Sequence, residues 1–310
     1  MRHAFEIRDV CKTYGKDVRA NDSVNLTIAA GEVFGILGPN GAGKSTLVQQ
    51  MVALSAPTTG EIRLFGERIR PHDRRVRQRV GYLAQRPLAL YDLKVREAVV
   101  ATGRLRGLSA GQAERAALEL LQAVGLADRQ NRLVGSLSGG EHRLVGLATA
   151  LIGQPDVLIL DEPTNELDPV ARRTVWDMLL ARRAAGTTIV LVTHNVLEAE
   201  RVLGRVAIMM QGRIVAIGSP GELKESAMAQ VRLEVSLRED APVAPEWLAQ
   251  GRRIGERRFS MSVRRSGLRE VFAHLGDPAL SAAIDDLRLT SPSLEDVYVA
   301  YQEKGERTDG

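Results

Sequence analysis

Residues 38–46 read Gly-Pro-Asn-Gly-Ala-Gly-Lys-Ser-Thr and follow directly on the apolar run Val-Phe-Gly-Ile-Leu at 33–37. Two glycines bracketing four residues, then lysine and serine, make a phosphate-binding loop when they stand between a strand and a helix. The residue types are dictated by the task. Gly38, Gly41 and Gly43, with Pro39, Asn40 and Ala42 between them, form a loop whose glycines let backbone N–H groups turn inward, and the helix that opens behind them adds its positive dipole end. Lys44 can reach the β- and γ-phosphates, and the hydroxyl of Ser45, followed by Thr46, can ligate Mg²⁺. Lysine occurs only at 12, 16, 44, 94, 224 and 304, so Lys44 reads as chemistry rather than as a solubilising residue. The loop requires an α/β fold and implies a nucleoside triphosphate with Mg²⁺.

A chain of 310 residues holds one large α/β domain and a smaller companion. Hydrophobic residues at 44% and charged residues at 26% are those of an ordinary globular protein. The net charge is +4, and only six of the 42 basic residues are lysine. No basic cluster is dense enough for a nucleic-acid patch, so no nucleic acid partner is expected; the arginine run 68–79 reads as a solvated helix face. A single cysteine, Cys11, excludes an internal disulfide framework and a cysteine zinc site. The N-terminus lacks an apolar core of signal-peptide length, and no stretch approaches the ~18 apolar residues of a membrane span. The expectation is a cytoplasmic protein that reaches a membrane only through a partner.

Strands are predicted at 4–10, 23–28, 61–65 and 80–84, and a helix from about 43 to 54. Helical periodicity runs from 93 to 124. The continuous apolar run 157–160 is that of a buried parallel strand, and it ends on Asp161 and Glu162. A phosphate-binding loop requires such a carboxylate: Asp161 to hold Mg²⁺, Glu162 to accept the proton of the attacking water. A helix at 169–184 and a strand at 187–192 follow. After Pro220 the pattern becomes that of a small α+β appendage, with strands at 231–237, 258–263 and 284–289 and helices at 267–275 and 294–302. The expected division is 1–226, including a helical subdomain at about 86–150, and 227–310. No internal repeat is evident.

Residues 136–141 read Ser-Leu-Ser-Gly-Gly-Glu and open a second helix N-terminus suited to an anion. One γ-phosphate does not need two such cradles from one chain, so Ser138, Gly139 and Gly140 are expected to contact the nucleotide of another copy. These residues resemble the ATP-binding cassette family, whose signature is Leu-Ser-Gly-Gly-Gln, over about residues 4–225. The resemblance implies the nucleotide-binding domain of that family, a mixed-sheet core with a helical subdomain. It implies that Tyr14 stacks on adenine, that Gln85 senses Mg²⁺ and water, that Asp168 faces a dimer partner and that His194 is the switch at the γ-phosphate. Glu162, His194, Gln85 and Lys44 would then carry catalysis. Two departures stand out: Glu141 replaces the usual glutamine, and Thr149 stands where many members carry arginine.

The resemblance further implies a head-to-tail homodimer, or a heterodimer with a related subunit, acting on a separate integral membrane permease at the cytoplasmic face. Residues 289–298 resemble the ending of exporter ATPases of the drug-resistance and sodium-export type. A soluble cassette ATPase acting on ribosomes or DNA is the alternative; it would usually carry two cassettes or a long coiled-coil insertion, and neither is seen. A metabolic kinase or GTPase would lack Leu-Ser-Gly-Gly. The resemblance implies that the membrane subunit, a separate chain, selects the cargo.

Overall fold

The computed structural model describes residues 2–15, 17–85, 90–193, 200–227, 230–239, 246–249, 251–290, 293, 294, 296 and 297. The chain divides into two units, Met1–Ser219 and Pro220–Gly310. The division falls ahead of the short helix Pro220–Ala227, where the change of sequence character suggested 226–227.

In the first unit, β1 (His3–Tyr14) pairs antiparallel with β2 (Val18–Ala29) and with β4 (Thr59–Leu64), and β5 (Glu67–Arg68) closes the edge. Ile7 lies opposite both Leu26 and Ile62, which puts the apolar side chains of three strands on one face. β1 and β2 run well past the expected 4–10 and 23–28. Their far halves are polar and bulged, so the hydrogen-bonded ladder continues where apolar alternation has stopped.

The second sheet has the order β10-β9-β3-β8-β7-β6. Its strands are β3 (Val33–Leu37), β6 (Val80–Leu83), β7 (Val157–Asp161), β8 (Thr188–Val192), β9 (Arg205–Met210) and β10 (Arg213–Gly218). Five run parallel, and β10 returns antiparallel beside β9. Every residue of β3, β7 and β8 is buried, which is why they read as unbroken apolar runs. The β9–β10 hairpin was not expected from sequence. Gln211 and Gly212 both take positive φ, +46° and +79°, as a two-residue hairpin turn requires.

α1 (Lys44–Met51) lies between the two sheets. Leu47, Val48 and Met51 share one core with Ile7, Leu26, Phe34, Ile36, Ile159 and Val190. The arginine-rich stretch forms the short helix α2 (Arg74–Arg79), and the periodic stretch 93–124 is two helices, α3 (Val95–Leu105) and α4 (Ala110–Ala123). Gly107 at φ +99° breaks the first and Ser109 caps the second, accepting from Gln112 N at 3.4 Å. α5 (Gly139–Leu151) follows, and α6 (Pro169–Ala184) occupies the span expected of it.

The second unit is an antiparallel sheet of order β12-β13-β11-β14, from β11 (Gln230–Leu237), β12 (Arg252–Arg253), β13 (Arg258–Arg264) and β14 (Ile284–Thr290). Leu233, Val235, Leu248, Val263 and Val271 form its core. The expected helix at 294–302 extends beyond the described residues, among which Leu294 and Val297 are fully buried.

Candidate nucleotide site

β3 delivers the chain into the glycine-rich loop. Gly38 has φ +151°, and a Cβ there would run into the Met209 carbonyl; Gly43 has φ +95°, and its Cβ would run into the Ala20 carbonyl. Only glycine fits at either position. Gly43 is the N-cap of α1 and supplies no capping side chain, and the first turn holds no acid. Among the described residues no side chain caps the helix terminus, whose N–H groups and dipole suit an anion. Lys44 folds back over the loop, donating from Nζ to the carbonyls of Gly38 at 2.7 Å and Pro39 at 2.8 Å. Burial pushes its pKa down, against the pull of Asp161 and Glu162. Ser45 is exposed beside it, and Ala42 is buried.

Two supports of this loop were not legible in sequence. Fully buried Asn21 on β2 donates to the Gly43 carbonyl at 3.1 Å and accepts from Gln50 Nε2 at 2.7 Å. Gln50 in turn donates to the Thr46 carbonyl at 3.0 Å. The Gly43 carbonyl is thus held inward. Carbonyl and N–H point opposite ways in a trans peptide, so the Lys44 N–H is turned outward.

Strand register brings the acids to the same edge. Asp161 lies opposite Val192 on β8, which lies opposite Ile36 on β3, so the end of β7 reaches the level of the loop. Asp161 is 4% exposed, and its pKa is pushed up to about 6 by burial first and Glu162 second, with Arg143 and Lys44 opposing. Glu162 takes φ +53°, donates its N–H to the Val192 carbonyl at 2.7 Å and accepts from Thr193 Oγ1 at 3.0 Å. A left-handed conformation at a non-glycine residue is a strained state that neighbours must hold.

Gln85, Gly139, Arg143, Glu162 and Glu166 line one cleft of about 220 Å³. Ser138 caps α5 in a reciprocal box: its N–H donates to Glu141 Oε2 at 2.9 Å, and its hydroxyl accepts from the Glu141 N–H at 3.3 Å. Glu141 also accepts from Arg129 Nε at 3.0 Å, and these contacts, the Ser138 N–H foremost, hold its carboxyl below the usual range. The departure at 141 therefore turns back onto its own helix cap. Glu166, at φ +63°, rests its carboxylate against Gly139. Asp168 caps α6, accepting from Val170 N at 2.8 Å and Ala171 N at 2.9 Å. Buried Thr149 donates to the Gly146 carbonyl at 2.7 Å within α5. Tyr14, at the end of β1, is 42% exposed, with Lys12 Nζ 5.0 Å from its ring centre. His194 lies outside the described residues.

A mostly parallel sheet with a capless glycine loop behind β3, and buried acids at the end of β7 two strands away, defines a P-loop nucleoside triphosphatase. A family profile described as "ABC transporter" matches residues 21–165. The chain is 38% identical over 286 residues to the daunorubicin/doxorubicin resistance ATP-binding protein of Streptomyces peucetius, spanning 92% of this chain and 82% of that one. It is 36% identical over 302 residues to the Nod factor export ATP-binding protein I of Rhizobium johnstonii, spanning 96% and 94%. Among solved structures, an ATP-binding subunit of an ABC transporter superposes with a TM-score of 0.68 at 27% identity, over 72% of this chain and 92% of that one. A dimeric ATP-binding cassette in a post-hydrolysis state, bound to ADP and Pi, gives 0.64 at 28% identity, over 69% and 98%. The chain belongs to the ABC transporter family, as an ATP-binding, ATP-hydrolysing subunit.

Proposed function

We propose that this chain powers export, hydrolysing MgATP at the edge where β3, β7 and β8 end. The observation that carries the reading is the register that sets Asp161 and Glu162 beside the capless N-terminus of α1. The triphosphate lies in the loop 38–46 with Lys44 transferred from the Gly38 and Pro39 carbonyls to the β- and γ-phosphates. Burial and the Glu162 charge hold Asp161 in an environment that a divalent cation relieves. Ser45, Gln85 and Asp161 would hold Mg²⁺, which supplies charge neutralisation at the phosphates. Glu162 accepts the proton of the attacking water, His194 contacts the γ-phosphate and Tyr14 stacks on adenine. Ser138, Gly139 and Gly140 contact the nucleotide bound by a second subunit, a copy of this chain or a related one.

No helix among the described residues is long and apolar enough to cross a membrane. Delivery of the work to a separate permease at the cytoplasmic face is supported by the relatives, which are named as the ATP-binding proteins of resistance and export systems. Export is supported by relatives named for drug resistance and Nod factor export, which match across both units of the chain. The test is capture of Glu162→Gln with ATP from detergent-solubilised membranes of the source cell. A stoichiometric integral membrane protein is expected; ribosomal proteins or nucleic acid in its place would overturn the export reading.

A further inference from the structure

Arg143 belongs to none of the motifs, yet its guanidinium touches two of them, at Gln85 and at Asp161–Glu162, from a helix that opens on a third. It leaves α5 just inside the Ser138 cap and is only 9% exposed. Nη1 donates to the Ala84 carbonyl at 2.7 Å and to the Gln85 carbonyl at 3.4 Å. Nη2 donates to the carbonyls of both Asp161 and Glu162. A buried guanidinium is expensive to desolvate, so its four carbonyl partners mark a place where geometry is being set.

The geometry concerns Glu162. The Asp161 carbonyl belongs to the peptide plane on one side of the Glu162 Cα, and the Glu162 carbonyl to the plane on the other. Peptide planes are rigid, so fixing both planes fixes φ and ψ of the residue between them. Glu162 is the strained residue here, at φ +53°. The same planar fork ties this strand end to the backbone of Gln85 and, through its own Cα, to the helix that begins at Ser138.

We infer that Arg143 is a positioning residue. It holds Glu162 in its left-handed conformation and links that conformation to the signature helix, so that a nucleotide engaging Ser138–Gly140 sets the base in the same chain. The link to a partner-held nucleotide rests on the function proposed above; the hold on Glu162 does not. Arg143 acts through Glu162 and does not itself touch the reacting water.

The test compares Arg143→Lys, Glu162→Gln and the double variant in the full chain, measuring kcat and KM for ATP hydrolysis, fluorescent-nucleotide affinity and ATP-driven dimerisation. Lysine keeps the charge and loses the fork. Arg143→Lys is expected to lower kcat at least about tenfold and by no more than the 10²–10⁴ a general base contributes. Its nucleotide affinity should stay within about threefold, and any cooperativity in ATP should be lost. The double variant should hydrolyse at the rate of Glu162→Gln alone, because both changes disable one group. An unchanged kcat in Arg143→Lys would overturn the inference. So would losses that add in the double variant, or a loss of nucleotide affinity parallel to kcat, which would mark a purely structural role. If Glu162→Gln itself stays monomeric with ATP, the link to the partner nucleotide falls, while the non-additivity still decides whether Arg143 holds Glu162.

Discussion

Lys44 is half-buried and tied to two carbonyls, bonds that the proposed nucleotide binding would exchange for charge-assisted ones. Lys44→Ala should weaken MgATP binding by about tenfold or more, since a hydrogen bond to a charged group contributes ~1.5–3 kcal/mol. Titration with a fluorescent ATP analogue measures this, and an unchanged Kd would sink the loop assignment. Asp161 offers a test with a sign. Its folded pKa of about 6 stands above its ordinary 3.8, so the folded state holds the proton more tightly than the unfolded one. The stability this contributes is present below pH 3.8 and is lost as pH rises through about 6. Asp161→Asn should therefore raise the melting temperature of the nucleotide-free protein at pH 7.5 and lose that advantage near pH 4. An advantage independent of pH would show that Asp161 is not a strained, buried charge. Lys44, Asp161 and Glu162 were all readable as residue types behind apolar runs. Asn21, Thr193 and Arg143 were not. Their partners are backbone carbonyls or a residue some thirty positions away, and a carbonyl acceptor leaves no trace in the identity of its own residue.

Among the elements, α5 carries most of what distinguishes this chain. Its cap pairs Ser138 with Glu141, and Glu141 with Arg129 on the surface. Glutamine can make the same capping contact, and an exposed ion pair contributes at most about 1 kcal/mol. Glu141→Gln should then leave the melting temperature almost unmoved and ATP turnover within about twofold; a large gain in turnover would mean that the carboxylate faces the nucleotide after all. Ser138→Arg should abolish hydrolysis and leave nucleotide binding by the monomer intact. Loss of monomer binding in equilibrium titration would place the signature in its own chain's site. The span of α6 was legible because Asp168 and Pro169 mark its start. The break between α3 and α4 was missed because the apolar stripe continues on either side of it. The β9–β10 hairpin was hidden because β9 is buried while β10 exposes alternate residues, and its Gln-Gly turn is a weak signal.

At the scale of the molecule, Glu162→Gln should bind ATP, hydrolyse it about 10²–10⁴-fold more slowly and elute as a dimer from size exclusion. Normal turnover would place the base elsewhere, and a monomer would remove the shared-site reading. ATP-driven closure of this kind is a ligand-biased two-state switch, so the shift in elution should vanish when ATP is withdrawn. The phosphate loop, the acid-tipped strand and the signature helix were determined by the sequence alone, because each is a local pattern in which neighbouring residues specify one turn or one cap. Tertiary structure alone decided that they meet. Parallel pairing sets Asp161 level with Val192 and Ile36, β2 presses Asn21 onto Gly43, and Arg143 joins backbones 59 and 18 residues away. Those contacts depend on strand register and on carbonyl directions, which no stretch of residue types encodes by itself.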